Sequence, residues 1–384
     1  MSINFLFLVN ILHFLYNTPM INIAFTGGGT GGHIYPGLAV ASEVLNYSGG
    51  NFRLFWIGSS AGMDRSIIEE AGIEFYGISC GKLRRYFSFR TVTDFFKVIS
   101  GFFEARKILK KEKPSLLFSK GGFVSVPPCA AAASLGIPVF THESDYSPGL
   151  ATRLNAFFVL RTGGRIFTAY EDTGSFLIRA VWDRVTFCGN PVRCVFRTAD
   201  AAKGRAFLNV KENERILLIL GGSQGAKEIN ELVRLSLTEL NEIYTVVHQT
   251  GPNQNWDLIE SEKYKPLPYI NKEMPDIMAA AEIVMGRSGA GIWEWAVSRK
   301  PMILIPLTGS GTRGDQLENA RYFEKNGAAR VLSGNDVNVK VLISAVKTLA
   351  QDTEKREKMA FASAVIGESD GAKLIAQTLL SGNI

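Results

Sequence analysis

The sequence predicts an α/β chain of two Rossmann-like domains with a cleft between them, and three observations lead there. A strand-like run, a glycine-rich loop and a helical pattern follow one another twice, at 21–46 and again at 216–240. The apolar runs, Ile216-Leu217-Leu218-Ile219-Leu220 most plainly, do not alternate with polar residues, as expected of parallel strands buried on both faces. The chain has 384 residues, which favours two domains over one.

In order, Ile21–Phe25 reads as the first strand and Tyr35–Asn46 as the helix after its loop. Arg53–Ile57 and Met63–Ala71 form the next strand and helix. Ser115–Ser119 is a strand, followed by Gly121-Gly122 and an alanine-rich helix over Val126–Leu135, then strand Pro138–Thr141. The second series comprises strand 216–220, helix Lys227–Leu240, and strands Tyr244–His248, Glu282–Met285 and Met302–Ile305. The turn signal Gly189-Asn190-Pro191 marks the join. The halves share a plan without being a sequence repeat. This division gives domains at 20–187 and 188–355, with a helical tail at 356–384 expected to pack back on the first half.

Composition narrows the class. The chain is 46% hydrophobic and 20% charged, so it is globular rather than disordered. A net charge of +6 suits anionic partners such as nucleotide phosphates, lipid headgroups or nucleic acid, or is a basic surface without a purpose. Cys80, Cys129, Cys188 and Cys194 form no CxxC pair and have no histidine at ligand spacing. They read as reduced, mostly buried cysteines of a cytoplasmic protein, not as a zinc site. Ile3–Tyr16 is apolar, but it lacks a positive n-region and a cleavage site and is short for a membrane span. Met20 opens a clean first strand, so residues 1–19 read as an extension ahead of a native start at Met20.

Glycine loops carry the functional signal. Gly27-Gly28-Gly29-Thr30-Gly31-Gly32-His33 contains GxGxxG between a strand and a helix, the context of a dinucleotide fingerprint. Without side chains the backbone can approach a phosphate closely, and the helix N-terminus favours negative charge. A nicotinamide site also needs an acidic residue at the end of the second strand, and 52–60 offers none. No Lys-Ser/Thr ends the loop, which excludes a P-loop. Gly121-Gly122-Phe123-Val124-Ser125 and Gly221-Gly222-Ser223-Gln224-Gly225-Ala226 are further glycine loops at strand ends. His142-Glu143-Ser144-Asp145, Arg287–Gly291 with Glu294, and Asp315-Gln316 with Asn319 sit on the same edges.

Together, Gly27–His33 with Pro36-Gly37-Leu38-Ala39, Gly121–Ser125, His142-Glu143, Gly189-Asn190-Pro191-Val192-Arg193, Gly221–Ala226, Arg287-Ser288-Gly289-Ala290 and Gln316-x-x-Asn319-Ala320 resemble the MurG family, the N-acetylglucosaminyltransferases of peptidoglycan synthesis in glycosyltransferase family 28. The resemblance runs from about Met20 to the C-terminus. It implies a GT-B fold and inverting transfer of GlcNAc from UDP-GlcNAc to lipid I, undecaprenyl-pyrophosphoryl-MurNAc-pentapeptide, giving lipid II. It implies no cofactor, no protein-bound metal and no nucleic-acid partner, and a peripheral place on the cytoplasmic face of the inner membrane, beside other cell-wall synthesis proteins. The second domain would hold the donor and the first the acceptor. Carried over by residue, Thr30, Gly31 and Gly32 would lie beside the donor sugar. Arg193 and Ser223 would meet the diphosphate and nucleotide, Ile270 the uracil by its backbone, and Glu294 the ribose. Gln316 and Asn319 would meet the GlcNAc hydroxyls. Gly28, Gly29, Gly121, Gly122 and Asp145 would face the acceptor and its pyrophosphate. Asp145 stands where the family often has Asn, and Phe123 where it often has Tyr. The step from Arg287 to Glu294 is one residue shorter than usual.

Sugar transfer requires the acceptor hydroxyl to lose a proton and the departing diphosphate to be stabilised. His33, near the helix start where the dipole lowers its pKa, suits a base or a hydrogen-bond partner, and otherwise merely caps the loop. His142 with Glu143 suits the same role, or is a satisfied histidine at a strand end. His13 and His248 read as structural. A membrane signal lies in Lys82–Arg90, where Arg84, Arg85, Tyr86, Phe87 and Phe89 interleave charge and aromatic rings. For 95–113 the expectation is an amphipathic helix that buries Phe95, Phe96, Phe102 and Phe103 in the core and shows a solvated basic face. A related lipid glycosyltransferase and a non-catalytic UDP-sugar binder are the rival readings.

Overall fold

The computed structural model describes residues 20–47, 51–61, 64–81, 89–252, 260–309 and 312–381, with 89–92 as backbone only. The extension 1–19, and most of the segment 82–90 with its membrane signal, lie outside the described residues.

The first lobe is a seven-stranded sheet of order β3-β2-β1-β4-β5-β6-β7. Its strands are β1 (Ile21–Thr26), β2 (Phe52–Ser59), β3 (Glu74–Ile78), β4 (Leu116–Ser119), β5 (Val139–Glu143), β6 (Ile166–Thr168) and β7 (Val185–Phe187), and every pairing is parallel. Helices α1 (Gly31–Leu45), α2 (Asp64–Glu70), α3 (Phe89–Glu112), α4 (Val126–Ser134) and α5 (Leu150–Thr162) connect them. The second lobe has six parallel strands in the order β10-β9-β8-β11-β12-β13. These are β8 (Ile216–Leu220), β9 (Thr245–Gln249), β10 (Tyr264–Leu267), β11 (Ile283–Gly286), β12 (Met302–Leu304) and β13 (Ala329–Val331). Its helices are α6 (Ala201–Leu208), α7 (Lys227–Asn241), α8 (Met274–Ala280), α9 (Ile292–Val297), α10 (Asp315–Lys325), α11 (Val339–Gln351) and α12 (Thr353–Ile366). The expected α/β architecture is therefore present twice.

Buried strands explain the apolar runs. All five residues of β8 are buried, as are all four of β4 and β11, because helices cover both faces of each sheet. Strands β3, β6, β7, β10 and β13 escape the sequence reading because they are three to five residues long and lie towards sheet edges, where the apolar run is short.

Two boundaries differ in ways that matter. Helix α1 starts at Gly31, not at Tyr35; Thr30 is its extended N-cap, and the Thr30 carbonyl accepts from the amides of His33 (3.1 Å) and Ile34 (3.3 Å). Pro36 therefore sits inside the helix instead of opening it, and the last two glycines of the loop belong to the first helical turn. Strand β5 extends through Glu143, so His142 and Glu143 end the strand rather than follow it.

The last helix, α13 (Gly371–Ser381), returns to the first lobe. Ala372, Ile375, Ala376, Leu379 and Leu380 are buried in the same cluster as Ile34, Val40 and Val44 of α1. The preceding helix α12 stays with the second lobe, against α9 and α11. The crossing helix thus ties the end of the chain into the core beneath the first glycine loop. Ile375→Ala is expected to cost about 2–5 kcal/mol by leaving a cavity in that core. Denaturant unfolding monitored by the fluorescence of Trp56, in the same cluster, checks this; an unchanged midpoint would show that α13 adds nothing to the first lobe.

Candidate active site

Each sheet reverses its strand order once, between β1 and β4 in the first lobe and between β8 and β11 in the second. At such a switch point the loops after neighbouring strands diverge and leave a crevice at the strand carboxyl ends. Gly27–Thr30 and Lys120–Gly122 leave the first switch point; Gly221–Ala226 and Arg287–Gly291 leave the second. The crevices open onto one cavity of about 360 Å³. It gathers Thr30, Gly31, Gly32, Arg193, Ser223, Ile270, Glu294 and Gln316 from both lobes, all eight singled out from sequence.

On the first-lobe side the loop is held by a residue the sequence reading passed over. The Asp64 carboxylate, almost wholly buried at the start of α2, accepts from the Gly29 amide at 3.1 Å through both oxygens. Burial raises the Asp64 pKa, and its hydrogen bonds to Gly29 and Ser59 oppose the rise. Gly28 has φ near +157°, and a Cβ there would collide with that carboxylate. Gly122, at φ +78°, lies against the His33 ring and the Gly28 carbonyl, and a Cβ would come within 2.9 Å of each. The two glycine loops and His33 therefore pack as one unit. Burial lowers the His33 pKa to about 4, assisted by the Lys120 ammonium and opposed by Glu143. Burial, not the helix dipole, is the leading cause of its neutrality.

Lys120 was also missed, although it immediately precedes Gly121-Gly122. It is 1% exposed, its ammonium donates to Ser144 Oγ, and burial pushes its pKa down to about 8. Ser144 Oγ in turn donates to Asn190 Oδ1 (3.0 Å), and Asn190 Nδ2 reaches the Ala290 carbonyl at 3.4 Å. A buried polar chain thus runs from the Lys120–Gly122 loop to the second lobe.

Nine sequence-selected residues lie outside the cavity wall: Gly28, Gly29, His33, Gly121 and Gly122 in the packed loop unit, and His142, Glu143, Asp145 and Asn319 around it. His142 is 1% exposed, and its Nε2 lies 3.0 Å from the Gly189 carbonyl at the join. The Glu143 carboxylate accepts from the amides of Ser144 (2.8 Å), Asp145 (3.0 Å) and Gly149 (2.9 Å), so it organises the loop leading into α5. His142 Nε2 and the Glu143 carboxylate are thus engaged within the protein, while His142 Nδ1 has no hydrogen-bond partner. Asn319 is fully buried, accepting from the Tyr146 amide (2.8 Å) and donating to Asp145 Oδ1 (3.2 Å) and the Ser288 carbonyl (3.1 Å). Its amide is engaged between the lobes and does not line the cavity. Asp145 pairs with Arg313 at 2.7 Å; burial and the nearby Glu143 and Asp315 raise its pKa to about 6.

On the second-lobe side, Arg193 pairs with Glu294 at 3.2 Å and lies over the rings of Tyr35 (4.5 Å) and Phe196 (5.1 Å). Burial raises the Glu294 pKa and Arg193 opposes it. Gln249, not selected from sequence, spans two loops: its Nε2 donates to the Gly222 carbonyl and its Oε1 accepts from the Ile270 amide, each at 3.0 Å. The Ile270 amide is thereby engaged, which leaves its carbonyl as the backbone group it can offer a base. Gln316 Oε1 accepts from the Leu307 amide at 3.0 Å. Tyr35 and Tyr269 line the cavity, their hydroxyls 3.3 Å apart across the lobes.

Elsewhere, helix α3 departs from expectation. Phe102 packs against the core, but Phe95, Phe96 and Phe103 are 57%, 64% and 63% exposed. The helix is amphipathic with part of its aromatic face outward, which overturns the reading that buries all four rings. Cys129 and Cys188 are buried, Cys80 half-buried and Cys194 exposed, all unbridged. No helix among the described residues is long and apolar enough to cross a membrane, and no group of three or more His, Cys, Asp or Glu among them is placed to hold a metal.

Comparison with known proteins agrees with this architecture. Residues 23–163 match the glycosyltransferase family 28 N-terminal domain and residues 216–378 its C-terminal domain. The UDP-N-acetylglucosamine–N-acetylmuramyl-(pentapeptide) pyrophosphoryl-undecaprenol N-acetylglucosamine transferase of Treponema denticola is 46% identical, over 94% of this chain and 97% of its own. One of two such transferases of Bacillus cereus is 42% identical, over 88% of this chain and 93% of its own. The crystal structure of Acinetobacter baumannii MurG superposes with a TM-score of 0.71 at 22% identity, covering 94% of this chain and all of that one, and so supports the two-lobed GT-B fold. The two matched domains, the near-full-length relatives and the facing switch points place this chain in glycosyltransferase family 28.

Proposed function

We propose that the chain transfers N-acetylglucosamine from UDP-GlcNAc to lipid I, forming lipid II, and that it does so with inversion. The observation that carries the reading is the single cavity shared by two switch points, with anion-binding backbone on both walls. Family membership and relatives of that activity at 40–46% identity support the substrates.

The second lobe is suited to the nucleotide. Ile270 offers a backbone carbonyl to uracil, and Glu294 a carboxylate to the ribose hydroxyls. Arg193 and the amides at Ser223 face the diphosphate, where a charge-assisted contact and a loop N–H stabilise the leaving group. Gln316 and Thr30–Gly32 flank the sugar. The acceptor pyrophosphate is assigned to the loops carrying Gly28, Gly29, Gly121 and Gly122, over the buried Lys120 ammonium; the Gly29 and Gly121 amides hold those loops in shape through Asp64 and Ser119 and are not among the groups offered to it. The attacking hydroxyl approaches the face of the anomeric carbon opposite UDP, and a single displacement inverts that centre. His33 belongs to the unit made by both acceptor-side loops and is held neutral, so it is the group suited to take the hydroxyl proton. A non-catalytic UDP-sugar binder would have no use for it.

The exposed Phe95, Phe96 and Phe103, with Lys107, Lys110, Lys111 and Lys113 farther along, suit a peripheral contact with an anionic bilayer surface. That face would bring the first lobe to a substrate anchored in the cytoplasmic leaflet, where other cell-wall synthesis proteins also work.

Incubation with UDP-GlcNAc and a short-chain lipid I analogue is expected to release UDP and yield the disaccharide product. His33→Ala should lower kcat by about 10²–10⁴-fold, with the Kd for UDP-GlcNAc changed much less; unaltered kcat removes His33 from the chemistry. His33, ordinarily near 6.5 but lowered to about 4 here, stays neutral across the neutral range. An acid limb of kcat/KM due to His33 is then expected near pH 4, and one due to it at 6.5 or above would contradict the buried state. The linked stability runs the same way: it is complete above about pH 6.5 and is lost as pH falls towards 4. In sedimentation with phosphatidylglycerol vesicles, replacing Phe95, Phe96 and Phe103 together with Ser should lower the bound fraction several-fold, as should charge reversal of Arg84 and Arg85; unchanged sedimentation of both would locate the contact elsewhere.

A further inference from the structure

Asp145 presents a problem if it is a ligand of the acceptor. A carboxylate beside a pyrophosphate repels it, and neither oxygen of Asp145 is unengaged. Oδ2 accepts from Arg313 Nη2 at 2.7 Å and Oδ1 from Asn319 Nδ2 at 3.2 Å. Both partners belong to the other lobe: Arg313 just before α10, Asn319 on it. The amide of the next residue, Tyr146, donates to Asn319 Oδ1 at 2.8 Å. The loop carrying Asp145 and Tyr146 is itself rigid. Glu143 holds it through three backbone amides, Thr173 Oγ1 donates to the Tyr146 carbonyl at 2.9 Å, and Lys120 grips Ser144. The far side is equally fixed. Asn319 donates to the Ser288 carbonyl, and Ser288 Oγ donates to the Gln316 carbonyl at 2.7 Å.

We propose that Asp145 is a positioning residue: with Arg313 and Asn319 it latches the acceptor-side loop to the start of α10, setting Gln316 and the acceptor-side glycine loops in one register across the cavity. The latch has no other evident use. Asp145, Arg313 and Asn319 are not in the cavity wall, yet Gln316 on the same helix is, and Lys120, which contacts the Asp145 loop at Ser144, heads Gly121-Gly122 on the neighbouring loop. A shift of α10 against the first lobe would move the donor sugar relative to the attacking hydroxyl, and small misplacements of reacting groups reduce rate steeply. Substrates would still bind to their own lobes.

This inference rests on the transferase reading and is tested by a double-mutant cycle on turnover. Asp145→Asn and Arg313→Gln are each expected to lower kcat about tenfold, and the double substitution no further, because both remove the same contact between the lobes; the second pair of Arg313, with Asp315, lies within the second lobe. The Kd for UDP, measured by calorimetry, should stay within about twofold, which also certifies that each variant is folded. As a rescue, Asn319→Asp sets two carboxylates together and also loses the donor to the Ser288 carbonyl, so it should be the more severe; adding Asp145→Asn restores the carboxylate–amide pair alone and should recover about fivefold of that loss. Multiplicative losses near a hundredfold, a rise confined to the acceptor KM, or failure of the rescue would each overturn the latch. An unsubstituted protein inactive towards lipid I would instead overturn the transferase reading. The latch would then be judged by solution scattering, in which the double variant should have a larger radius of gyration than the parent, and an equal radius refutes it.

Discussion

An aromatic seam holds the two lobes at a working distance, and the cavity depends on it. Tyr170 of the first lobe, fully buried, packs edge-on against Trp293 (5.3 Å) and Tyr322 (4.8 Å) of the second, with Tyr146 and Phe323 completing the cluster. Such rings bury large apolar areas and prefer this edge-to-face arrangement. Trp293 begins the helix that carries Glu294, and Tyr322 lies one turn from Asn319 on α10. The contact that joins the lobes therefore also orients the helices bearing the donor-side groups. Two nucleotide-type crevices on separate lobes would otherwise be two weak anion sites. Set face to face they become one pocket with a wall for each substrate.

The division of labour between the walls follows from how each glycine loop is supported. The loop after β1 is tied back through the Gly29 amide, which Asp64 occupies, and is packed on Gly122, so its remaining amides are fixed before any ligand arrives. The loop after β8 is tied instead by Gln249, which also fixes Ile270. Preorganised amides lose little freedom on binding. The first wall has a neutral imidazole among its glycines and a buried ammonium beneath; the second has an ion pair, Arg193–Glu294, stacked on Tyr35 of the first lobe. One wall is suited to proton removal next to a phosphate, the other to holding a nucleotide as it leaves.

What could be read from the sequence was whatever is local. Strand, glycine loop and helix within thirty residues define a switch-point loop wherever they occur, and Thr30–Gly32 and Gly221–Ser223 of those loops line the cavity. The motif from Arg287 and the one at Gln316 were legible for the same reason. Residues whose role depends on distant partners were not. Asp64 lies just past the segment searched for an acidic partner of the fingerprint. An acid is there after all, but it caps the glycine loop from behind, where a ribose cannot reach it. His142 and Asn319 have the chemistry of ligands, but β5 runs two residues beyond the end its apolar pattern suggests, and α10 is pinned to the other lobe. In α3 the helix is plain from its periodicity, while the direction its rings face depends on how the neighbouring elements cover it.

Charge is distributed in a way that separates phosphate recognition from surface attraction. Beneath the acceptor-side loops, the Lys120 ammonium faces Glu143, while Arg313 lies between Asp145 and Asp315. Two cations thus meet three carboxylates, so this neighbourhood has no net positive field to offer a pyrophosphate. Affinity for phosphate must come from oriented N–H groups at loop amides and the start of α1, whose effect is short-ranged and directional. The chain's excess of +6 is carried elsewhere, in part by the exposed lysines late in α3. A long-range field there can draw the protein to an anionic surface without trapping phosphates in the active site. A cleft that must release UDP after every turnover is better served by amides that recognise shape than by a surplus of cations that would retain the product.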